Sequence, residues 1–256
     1  MNSIIYGPVP SWRLGRSLGI DLVSTKGKTC SFDCVYCQLG KTIHRVNRRD
    51  EFVSLDLLAD EFESVKEIPI DYVTFSGVAE PTLASNLGQA IDLAKSKLGF
   101  PVAVLTNSSL MFLEDVRNDL THADVVVAKL DAPDEVLFQA INRPVAGISF
   151  EQTVEGIRRF RREYSGTLAL QMMFIDANKA SASQMAALAE EIGPDELQLN
   201  TPLRPCMVKP LDEAEMRSIK DEFGWFGDKS VMVYESTKPI VEPVDMSQTL
   251  RRRPQL

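Results

Sequence analysis

The sequence has little histidine: among its 256 residues there are only His44 and His122. A zinc site built from several histidines is therefore excluded, and metal chemistry has to use sulfur. The chain also lacks an apolar run of the ~18 residues that a membrane span needs. Its first residues lack the basic start and apolar core of a secretory signal. We therefore expect a cytoplasmic protein without a membrane partner, in a compartment where thiols stay reduced.

Positive charge is not in excess, because 28 Lys and Arg stand against 36 Asp and Glu, giving a net charge of −8. A broadly basic surface for nucleic acid is therefore not expected, since phosphate contacts depend on clustered Lys and Arg. The composition, with 44% hydrophobic residues, is that of a globular domain large enough to bury a core without metal. We predict one main domain over residues 1–225 and a short C-terminal extension over 226–256.

Six short apolar runs alternate with stretches of helical spacing. Several runs are almost continuously apolar, as parallel strands covered on both faces are. The predicted strands are 18–23, 72–76, 102–106, 125–130, 167–174 and 196–200, and the predicted helices are 56–65, 87–98, 150–164, 182–192 and 212–223. This alternation predicts an α/β fold, a partial (β/α)6 barrel of the TIM type with a mostly parallel sheet. Functional groups in such folds gather at the carboxyl ends of the strands.

Three of the four cysteines follow the first predicted strand directly. Cys30, Cys34 and Cys37 have the spacing C-x-x-x-C-x-x-C, so three thiols can converge from one loop onto one metal centre. Thiolates suit zinc and iron–sulfur clusters alike. Zinc normally takes a fourth protein ligand, and ferredoxin-type motifs supply a fourth cysteine, whereas Cys206 is remote in the sequence. Three ligands leave one iron of a cluster open, although a purely structural metal site is an alternative.

The cysteine spacing, with Tyr36 directly before the last cysteine, resembles the signature of the radical SAM superfamily. The resemblance implies a [4Fe–4S] cluster on Cys30, Cys34 and Cys37, whose open iron binds the amino and carboxylate groups of S-adenosylmethionine. It implies that reductive cleavage of this cofactor gives a 5′-deoxyadenosyl radical, which takes a hydrogen atom from an unidentified substrate. A low-potential donor such as flavodoxin or ferredoxin would supply the electron. The protein's tasks are then orientation and the exclusion of water.

The segment after the second predicted strand is similar to the Gly-Gly-Glu motif of that superfamily, which binds the methionine amino group. Gly77 and Glu80 match this motif, since a glycine lets the backbone approach a ligand and a carboxylate complements an ammonium. Val78 and Ala79 depart from the commoner Gly-Asn-Gly-Glu-Pro. The ordinary alternative is a turn into a helix with a proline at its first position.

Polar residues also end the later strands, and a similarity to the activating-enzyme branch of the superfamily implies that they bind the cofactor. We expect Tyr36 beside the adenine and the other polar side chains beside the carboxylate and the adenosine. The ordinary alternative is a set of turn residues and a surface ion pair. The candidate cofactor-binding residues are Tyr36, Gly77, Glu80, Thr106, Asn107, Lys129, Asp131 and Asn200.

Four arginines outside these motifs are candidate substrate residues, because a guanidinium can hold an anionic group bidentately. Cys206 is the candidate catalytic residue, as a hydrogen-atom donor, covalent nucleophile or metal ligand. A small buried thiol without a function is the alternative for Cys206. The arginines, which we expect to border one mouth, are Arg13, Arg16, Arg143 and Arg204.

The stretches 7–21, 36–40 and 141–144 resemble small radical SAM proteins related to the wyosine tRNA-base synthases. Those synthases carry a second cluster on additional amino-terminal cysteines, and no cysteine precedes Cys30 in this chain. Their tRNA chemistry therefore does not transfer directly. The substrate is left open among small molecules, RNA and protein. A tRNA-base modifying radical enzyme and a non-catalytic metal-binding or scaffold protein are the alternative functions.

Overall fold

The structure is a computed structural model that describes residues 3–254. None of the helices in these residues is both long and apolar enough to cross a membrane. The strands are β1 Ile5–Ser11, β2 Gly15–Ile20, β3 Thr29–Cys30, β4 His44–Arg45, β5 Tyr72–Phe75, β6 Val102–Thr106, β7 Val125–Lys129, β8 Thr167–Met173, β9 Glu196–Asn200 and β10 Ser230–Met232. The helices are α1 Leu55–Glu63, α2 Leu87–Leu98, α3 Glu114–Leu120, α4 Glu135–Ile141, α5 Phe150–Glu163, α6 Ala182–Ile192, α7 Glu213–Asp221 and α8 Met246–Arg252.

One curled sheet of eight strands organises the chain, in the order β1-β2-β5-β6-β7-β8-β9-β10. From β2 to β10 every neighbouring pair is parallel, and only β1 is antiparallel to its neighbour β2. Helices follow most of the parallel strands. The predicted α/β partial barrel with a mostly parallel sheet is therefore confirmed, and it brings the carboxyl ends of β2 and β5–β9 to one edge.

The six predicted strands correspond to β2 and β5–β9, and the two further strands lie at the sheet edges. β2 begins at Gly15 and ends at Ile20, three residues earlier at each end than the sequence predicts. The apolar residues Leu22 and Val23 are buried in the loop beyond β2, so their burial does not require a strand. Apolar runs in the sequence thus locate the strands better than they locate their ends.

Strand β1 has a sequence that does not look like a strand, since it contains a glycine and two prolines. Its pairing with β2 shifts register between Tyr6 and Val9, and Gly7-Pro8 occupies that irregularity. Proline has no N–H to donate to a neighbouring strand. It is tolerated on an edge strand or at an irregularity in the pairing, because no partner strand needs that donor there. Pattern alone therefore misses β1, although it closes one edge of the partial barrel.

The chain after residue 225 packs against both edges of the sheet. Strand β10 pairs with β9 at one edge. At the other edge, the Gly7 N–H of β1 donates to Thr249 Oγ1 of α8 at 2.9 Å, and the Val244 N–H donates to the Gly7 carbonyl at 2.7 Å. The segment predicted as an extension therefore runs from one sheet edge to the other. Its status as a unit separate from residues 1–225 stays a prediction.

Helix α5 lies so close to the chain around Met111 that a side chain larger than glycine has no room at Gly156. A Cβ at this position would lie 2.5 Å from Phe112 N and 2.6 Å from the Met111 carbonyl carbon. We expect Gly156→Ala to cost about 1–3 kcal/mol of unfolding free energy, reduced by the ~1 kcal/mol helix preference of alanine. Thermal unfolding followed by circular dichroism measures this loss. Arg162→Ala on the exposed face of α5 is the control, and equal melting temperatures for both variants would refute the close approach.

Candidate metal and cofactor site

The loop carrying the cysteines, residues 30–37, is held in place by backbone hydrogen bonds to the end of α4. The Val35 N–H donates to the Ile141 carbonyl at 2.9 Å, and the Asp33 N–H donates to the Asn142 carbonyl at 3.0 Å. Asp33 Oδ1 also accepts from the Thr42 N–H at 2.7 Å, which closes the far side of the loop. These contacts fix the loop beside the carboxyl edge of the sheet, where functional groups gather in folds of this class.

All three thiols of this loop line one cavity of about 180 Å3, here called the cysteine cavity. The cavity lies between the loop and the ends of β5 to β8. It includes five of the eight predicted cofactor-binding residues. The polar and thiol side chains that line it are Lys28, Cys30, Cys34, Tyr36, Cys37, Glu80, Thr106, Asn107, Lys129 and Gln171.

The sulfur atoms receive hydrogen bonds of the kind that favour an anionic sulfur. Cys30 Sγ accepts from the Phe32 N–H and from Asn107 Nδ2, both at 3.4 Å. Cys34 Sγ accepts from Asn142 Nδ2 at 3.6 Å. Hydrogen-bond donors to a ligand atom orient metal ligands and tune the charge on them.

Positive charge is held next to the same sulfurs by Lys28. Burial opposes the charge of this ammonium, but the nearby sulfurs of Cys37 and Cys30 outweigh the burial and raise the pKa of Lys28. Burial raises the pKa of the Cys30 thiol to about 12, and the Glu80 carboxylate adds to this effect. A metal that binds here therefore has to displace a proton from Cys30.

The donor set fits a four-iron cluster. Within residues 3–254, no three Cys, His, Asp or Glu side chains are gathered around one point as a single metal ion would require. A four-iron cluster attaches each thiolate to a different iron, so it needs three thiols distributed around a cavity. The cysteine cavity offers this arrangement together with donors to two of the sulfurs.

Glu80 is a buried carboxylate, 3% exposed, at the end of the loop after β5. Its Oε1 accepts from Thr82 Oγ1 at 2.8 Å and from Thr106 Oγ1 at 2.6 Å, and its Oε2 accepts from the Asn107 N–H at 2.7 Å. Burial raises the pKa of Glu80 above its usual value, and these hydrogen bonds offset only part of the rise. Oε2 receives this one donor among the described residues and has capacity for a second, because a carboxylate oxygen accepts from about two directions.

Gly77 lies where the loop after β5 passes Asp21. Its φ is +148°, and a Cβ there would lie 2.6 Å from Asp21 Oδ1. Only glycine adopts this backbone conformation without strain, and only glycine fits beside the carboxylate. The glycine of the motif is thus explained by the close approach of Asp21. Gly77 does not line the cysteine cavity but a second cavity that adjoins it inside the barrel.

Tyr36, Lys129 and Asp131 form one network at the wall of the cysteine cavity. The Tyr36 hydroxyl donates to Asp131 Oδ2, and Asn142 Nδ2 donates to the same oxygen at 3.0 Å. Lys129 Nζ lies 4.4 Å from the centre of the Tyr36 ring, a cation–π contact, and 3.7 Å from Asp131 Oδ2. Burial and the Asp131 charge raise the pKa of Tyr36 well above its usual value. Lys129 and Tyr36 line the cavity, whereas Asp131 supports them from behind and does not line it.

A second cavity of about 250 Å3, here called the arginine cavity, lies inside the barrel next to the cysteine cavity. The two cavities share Tyr36, Cys37, Leu39, Leu105 and Lys129 as walls. A third cavity continues from it, past Arg13 and Arg204, towards Asn200. The polar residues of the arginine cavity include Ser11, Arg13, Ser17, Gln38, Thr74, Ser76, Lys129, Arg204, Arg252 and Arg253.

The four predicted substrate arginines are divided by the fold. Arg13 and Arg204 line the arginine cavity. Arg16 forms an ion pair with Asp71 at 2.7 Å at the amino end of β2, because Ser17 occupies the inward position and alternation places Arg16 on the other face. Arg143 is exposed at a backbone position with φ of +49° and lines none of these three cavities. The four side chains therefore do not border one mouth.

Two further predicted residues lie away from the cysteine cavity. Asn200 lines the third cavity, and its Oδ1 accepts from the Thr201 N–H at 2.9 Å. The Cys206 thiol donates to the Val208 carbonyl at 3.2 Å and packs on the apolar group around Ile141. Cys206 lines none of the three cavities, so the structure gives it the surroundings of a packed, partly buried thiol.

Sequence reasoning missed several side chains that the structure places beside the site, among them Lys28, Asn142 and Arg253. Asn142 contacts Cys34, Tyr36 and Asp131, yet its neighbour Arg143 was selected because of its charge. Arg253 lines the arginine cavity from the C-terminal segment. The Asn-Arg-Pro motif was a signal for Asn142, whereas nothing local distinguishes Arg253 from Arg251 and Arg252.

The fold and the site define a partial α/β barrel whose carboxyl edge carries three cysteines and a buried carboxylate around one cavity. The model of the radical SAM superfamily matches residues 25–189, and the chain belongs to this superfamily. Members of this superfamily are radical enzymes that use a [4Fe–4S] cluster and S-adenosylmethionine.

Curated relatives share much of the sequence. A UPF0026 protein of Methanocaldococcus jannaschii is 41% identical over 213 residues, which are 79% of this chain and 64% of that protein. A UPF0026 protein of Synechocystis sp. is 41% identical over 231 residues, which are 89% of this chain and 84% of that protein. The chain thus spans somewhat less than two thirds of the first relative and most of the second.

Solved structures share the fold at low sequence identity. The structure of anSMEcpe with bound AdoMet (S-adenosylmethionine) matches with a TM-score of 0.63 at 16% identity, covering 85% of this chain and 64% of that one. At this identity the likeness concerns the fold alone. The resemblance to the wyosine synthases stays a prediction.

Proposed function

We propose that the chain holds its cluster on Cys30, Cys34 and Cys37 and cleaves S-adenosylmethionine there to a 5′-deoxyadenosyl radical, which takes a hydrogen atom from a substrate in the arginine cavity. The observation that carries the proposal is that three thiols and the accepting oxygen of Glu80 line one cavity. A reduced ferredoxin or flavodoxin supplies the electron in this proposal.

Each polar wall of the cysteine cavity has a task in this proposal. Glu80 Oε2 binds the ammonium of the methionine moiety, since its second lone pair is available. The Lys129 ammonium attracts the carboxylate, and its position over the Tyr36 ring keeps it in place. Asn107 donates to Cys30 and, through its backbone, to Glu80, so it ties the sulfur ligand to the cofactor-binding carboxylate.

The wall shared by the two cavities positions the substrate. Tyr36, Leu39 and Leu105 present apolar surface to both the cysteine cavity and the arginine cavity. Apolar surface limits bulk water at the junction of the two cavities, where the radical meets the substrate in this proposal. Tyr36 is held by Asp131 and Asn142, which makes it a rigid part of this wall. The substrate then approaches from the arginine cavity, opposite the cysteines.

The test is anaerobic reconstitution with iron and sulfide, followed by reduction in the presence of S-adenosylmethionine. We expect 5′-deoxyadenosine from the native chain and a background yield from Cys34→Ala, because a cluster lacking one of its three ligands is not retained. Cys206→Ala, which removes a thiol outside the cavities, is the matched control and should keep both its iron content and the cleavage. Iron and sulfide analysis separates loss of the cluster from loss of cofactor binding.

Two results would remove the proposal. The first is a tightly bound zinc ion with no 5′-deoxyadenosine after reconstitution, which would indicate a structural metal site. The second is an unchanged yield of 5′-deoxyadenosine in Cys34→Ala.

A further inference from the structure

Three arginines from distant parts of the chain line the arginine cavity together. Arg13 belongs to the turn between β1 and β2, Arg204 to the loop after β9, and Arg253 to the segment after α8. All three also line the third cavity, which continues from the first. They are close enough that the charge of Arg253 affects both others and the charge of Arg204 affects Arg13.

None of these three guanidinium groups has a carboxylate within 4.0 Å among residues 3–254, which sets them apart from their neighbour Arg252. Arg252 forms an ion pair with Asp21 at 2.9 Å. By contrast, Nε and Nη1 of Arg13 and Nη1 of Arg204 are buried without a hydrogen-bond partner in the described part of the chain. A buried donor left without a partner costs about 1–3 kcal/mol, so a ligand that accepts from these atoms is strongly favoured.

The arginines also disfavour one another's charge. Burial, followed by the repulsion of Arg253 and Arg204, lowers the pKa of Arg13 to about 10. Burial and the repulsion of Arg253 lower the pKa of Arg204 to about 10 as well. Both groups remain protonated at neutral pH, so uncompensated positive charge is held inside the barrel of a chain whose net charge is −8.

The number of charges and donors distinguishes between anions. A carboxylate has one negative charge and two oxygens, and it neutralises one guanidinium. A phosphate monoester has a charge near −2 and three terminal oxygens, and guanidinium forks bind such oxygens bidentately. Three guanidiniums around one cavity therefore match a phosphate group better than a carboxylate.

We propose that Arg13, Arg204 and Arg253 bind the phosphate group of a small phosphorylated substrate. This inference rests on the proposed function, which puts the substrate in the arginine cavity. The rest of the substrate then lies along the wall of Tyr36 and Leu39 that this cavity shares with the cysteine cavity. A small molecule is favoured over an RNA strand because the arginines face a cavity of about 250 Å3 and the chain has no excess of positive charge for a long polyanion.

Inorganic phosphate is the probe, titrated calorimetrically into the reconstituted protein under anaerobic conditions at mildly alkaline pH. We expect saturable binding that weakens about tenfold or more in Arg13→Ala and in Arg204→Ala, as the loss of charge-assisted hydrogen bonds predicts. Arg253→Ala should weaken it similarly, whereas Arg13→Lys, which keeps the charge without the fork, should have an intermediate effect. Arg162→Ala, on the exposed face of α5, is the control with the same charge change.

Three outcomes would overturn the inference. Phosphate binding that Arg13→Ala and Arg204→Ala leave unchanged would place the anion elsewhere. Acetate that binds as tightly as phosphate, with the same loss in both variants, would make this a carboxylate site. A short single-stranded RNA that displaces phosphate and binds more tightly would make the ligand a polynucleotide.

The same samples separate this inference from the proposed function and from a role of the arginines in balancing the cluster charge. Cluster content and cluster potential are therefore measured in each arginine variant together with its phosphate affinity. A variant with an altered cluster potential but native phosphate affinity would show that the arginines act on the cluster, and it would overturn the phosphate site. Arginine-dependent phosphate binding in a protein that yields no 5′-deoxyadenosine would leave the anion site standing and remove the proposed function.

Discussion

Arg252→Met is expected to lower the free energy of unfolding by about 3–5 kcal/mol, because it leaves a buried carboxylate without its partner. The ion pair joins Arg252 Nε to Asp21 Oδ2 at 2.9 Å, and both side chains are at most 1% exposed. The guanidinium also donates from Nη2 to the Ser3 carbonyl at 2.7 Å and to Ser24 Oγ at 3.0 Å. It thus connects α8 to the start of the chain and to the loop after β2, and its removal affects all three.

The loss caused by Arg252→Met should depend on pH. Burial raises the pKa of Asp21, and Arg252 opposes this rise, so the variant raises the pKa of the folded carboxyl further. Below the pKa of the unfolded chain, about 3.9, the carboxyl is protonated in both states and its charge has no cost. The loss of unfolding free energy grows as the pH rises from the pKa of the unfolded chain to the raised pKa of the folded carboxyl, and it is at its maximum above that pKa. The variant should therefore lose less stability in acid than at neutral pH.

Urea unfolding at several pH values measures this effect. The double variant Asp21→Asn with Arg252→Met removes the unpaired charge, and it should recover part of the stability and lose the pH dependence. Arg162→Ala is the control for removing an exposed arginine. A loss below about 1 kcal/mol in Arg252→Met, the range of a surface pair, would show that this pair does not hold the C-terminal segment on the barrel.

Glu80→Gln is expected to weaken the binding of S-adenosylmethionine to the reconstituted protein about 100-fold or more, as the loss of a buried charged hydrogen-bond partner predicts. The substitution removes the charge that attracts the ammonium. It also puts an amide NH2 where one carboxylate oxygen accepts, so it meets either the Thr106 hydroxyl or the Asn107 N–H as a second donor. Because Asn107 also donates to Cys30, a shift of Asn107 would disturb the loop carrying the cysteines as well.

Calorimetric titration with S-adenosylmethionine, together with iron and sulfide analysis, measures this prediction. Glu190→Gln on the exposed face of α6 is the matched control and should bind as the native chain does. A variant that keeps its cluster and binds the cofactor with native affinity would show that Glu80 only caps the loop after β5, where its side chain accepts from the Thr82 N–H at 3.1 Å.

The parts of the site that the sequence predicts are those whose geometry is local. Cys30, Cys34 and Cys37 share one short loop, so their spacing alone brings them to one cavity. Glu80, Thr106 and Lys129 follow three parallel strands, and the carboxyl ends of such strands meet at one edge whatever the details of packing. Both inferences need only the chain spacing and the direction of the strands.

The parts that the sequence does not predict depend on partners far away in the chain. Strand β1 contains Gly7-Pro8, which local preference disfavours, and it is stabilised by β2 and by α8. Between the adjacent residues Asn142 and Arg143, charge favoured Arg143, although Asn142 reaches Cys34. The Asn-Arg-Pro motif draws attention to this segment, but it does not specify which of the two neighbouring side chains faces the loop carrying the cysteines.

The sequence by itself determined which groups meet at the carboxyl edge of the sheet: three thiols from one loop and a carboxylate at the next strand end, which line one cavity. Only the tertiary structure decided which of the arginines are paired with a carboxylate. It pairs Arg16 with Asp71 and Arg252 with Asp21, and it leaves Arg13, beside Arg204 and Arg253, without a carboxylate in the described chain. The reason is physical: the ionic state of an arginine is set by the partners that folding brings within reach, and its own sequence neighbours do not specify them.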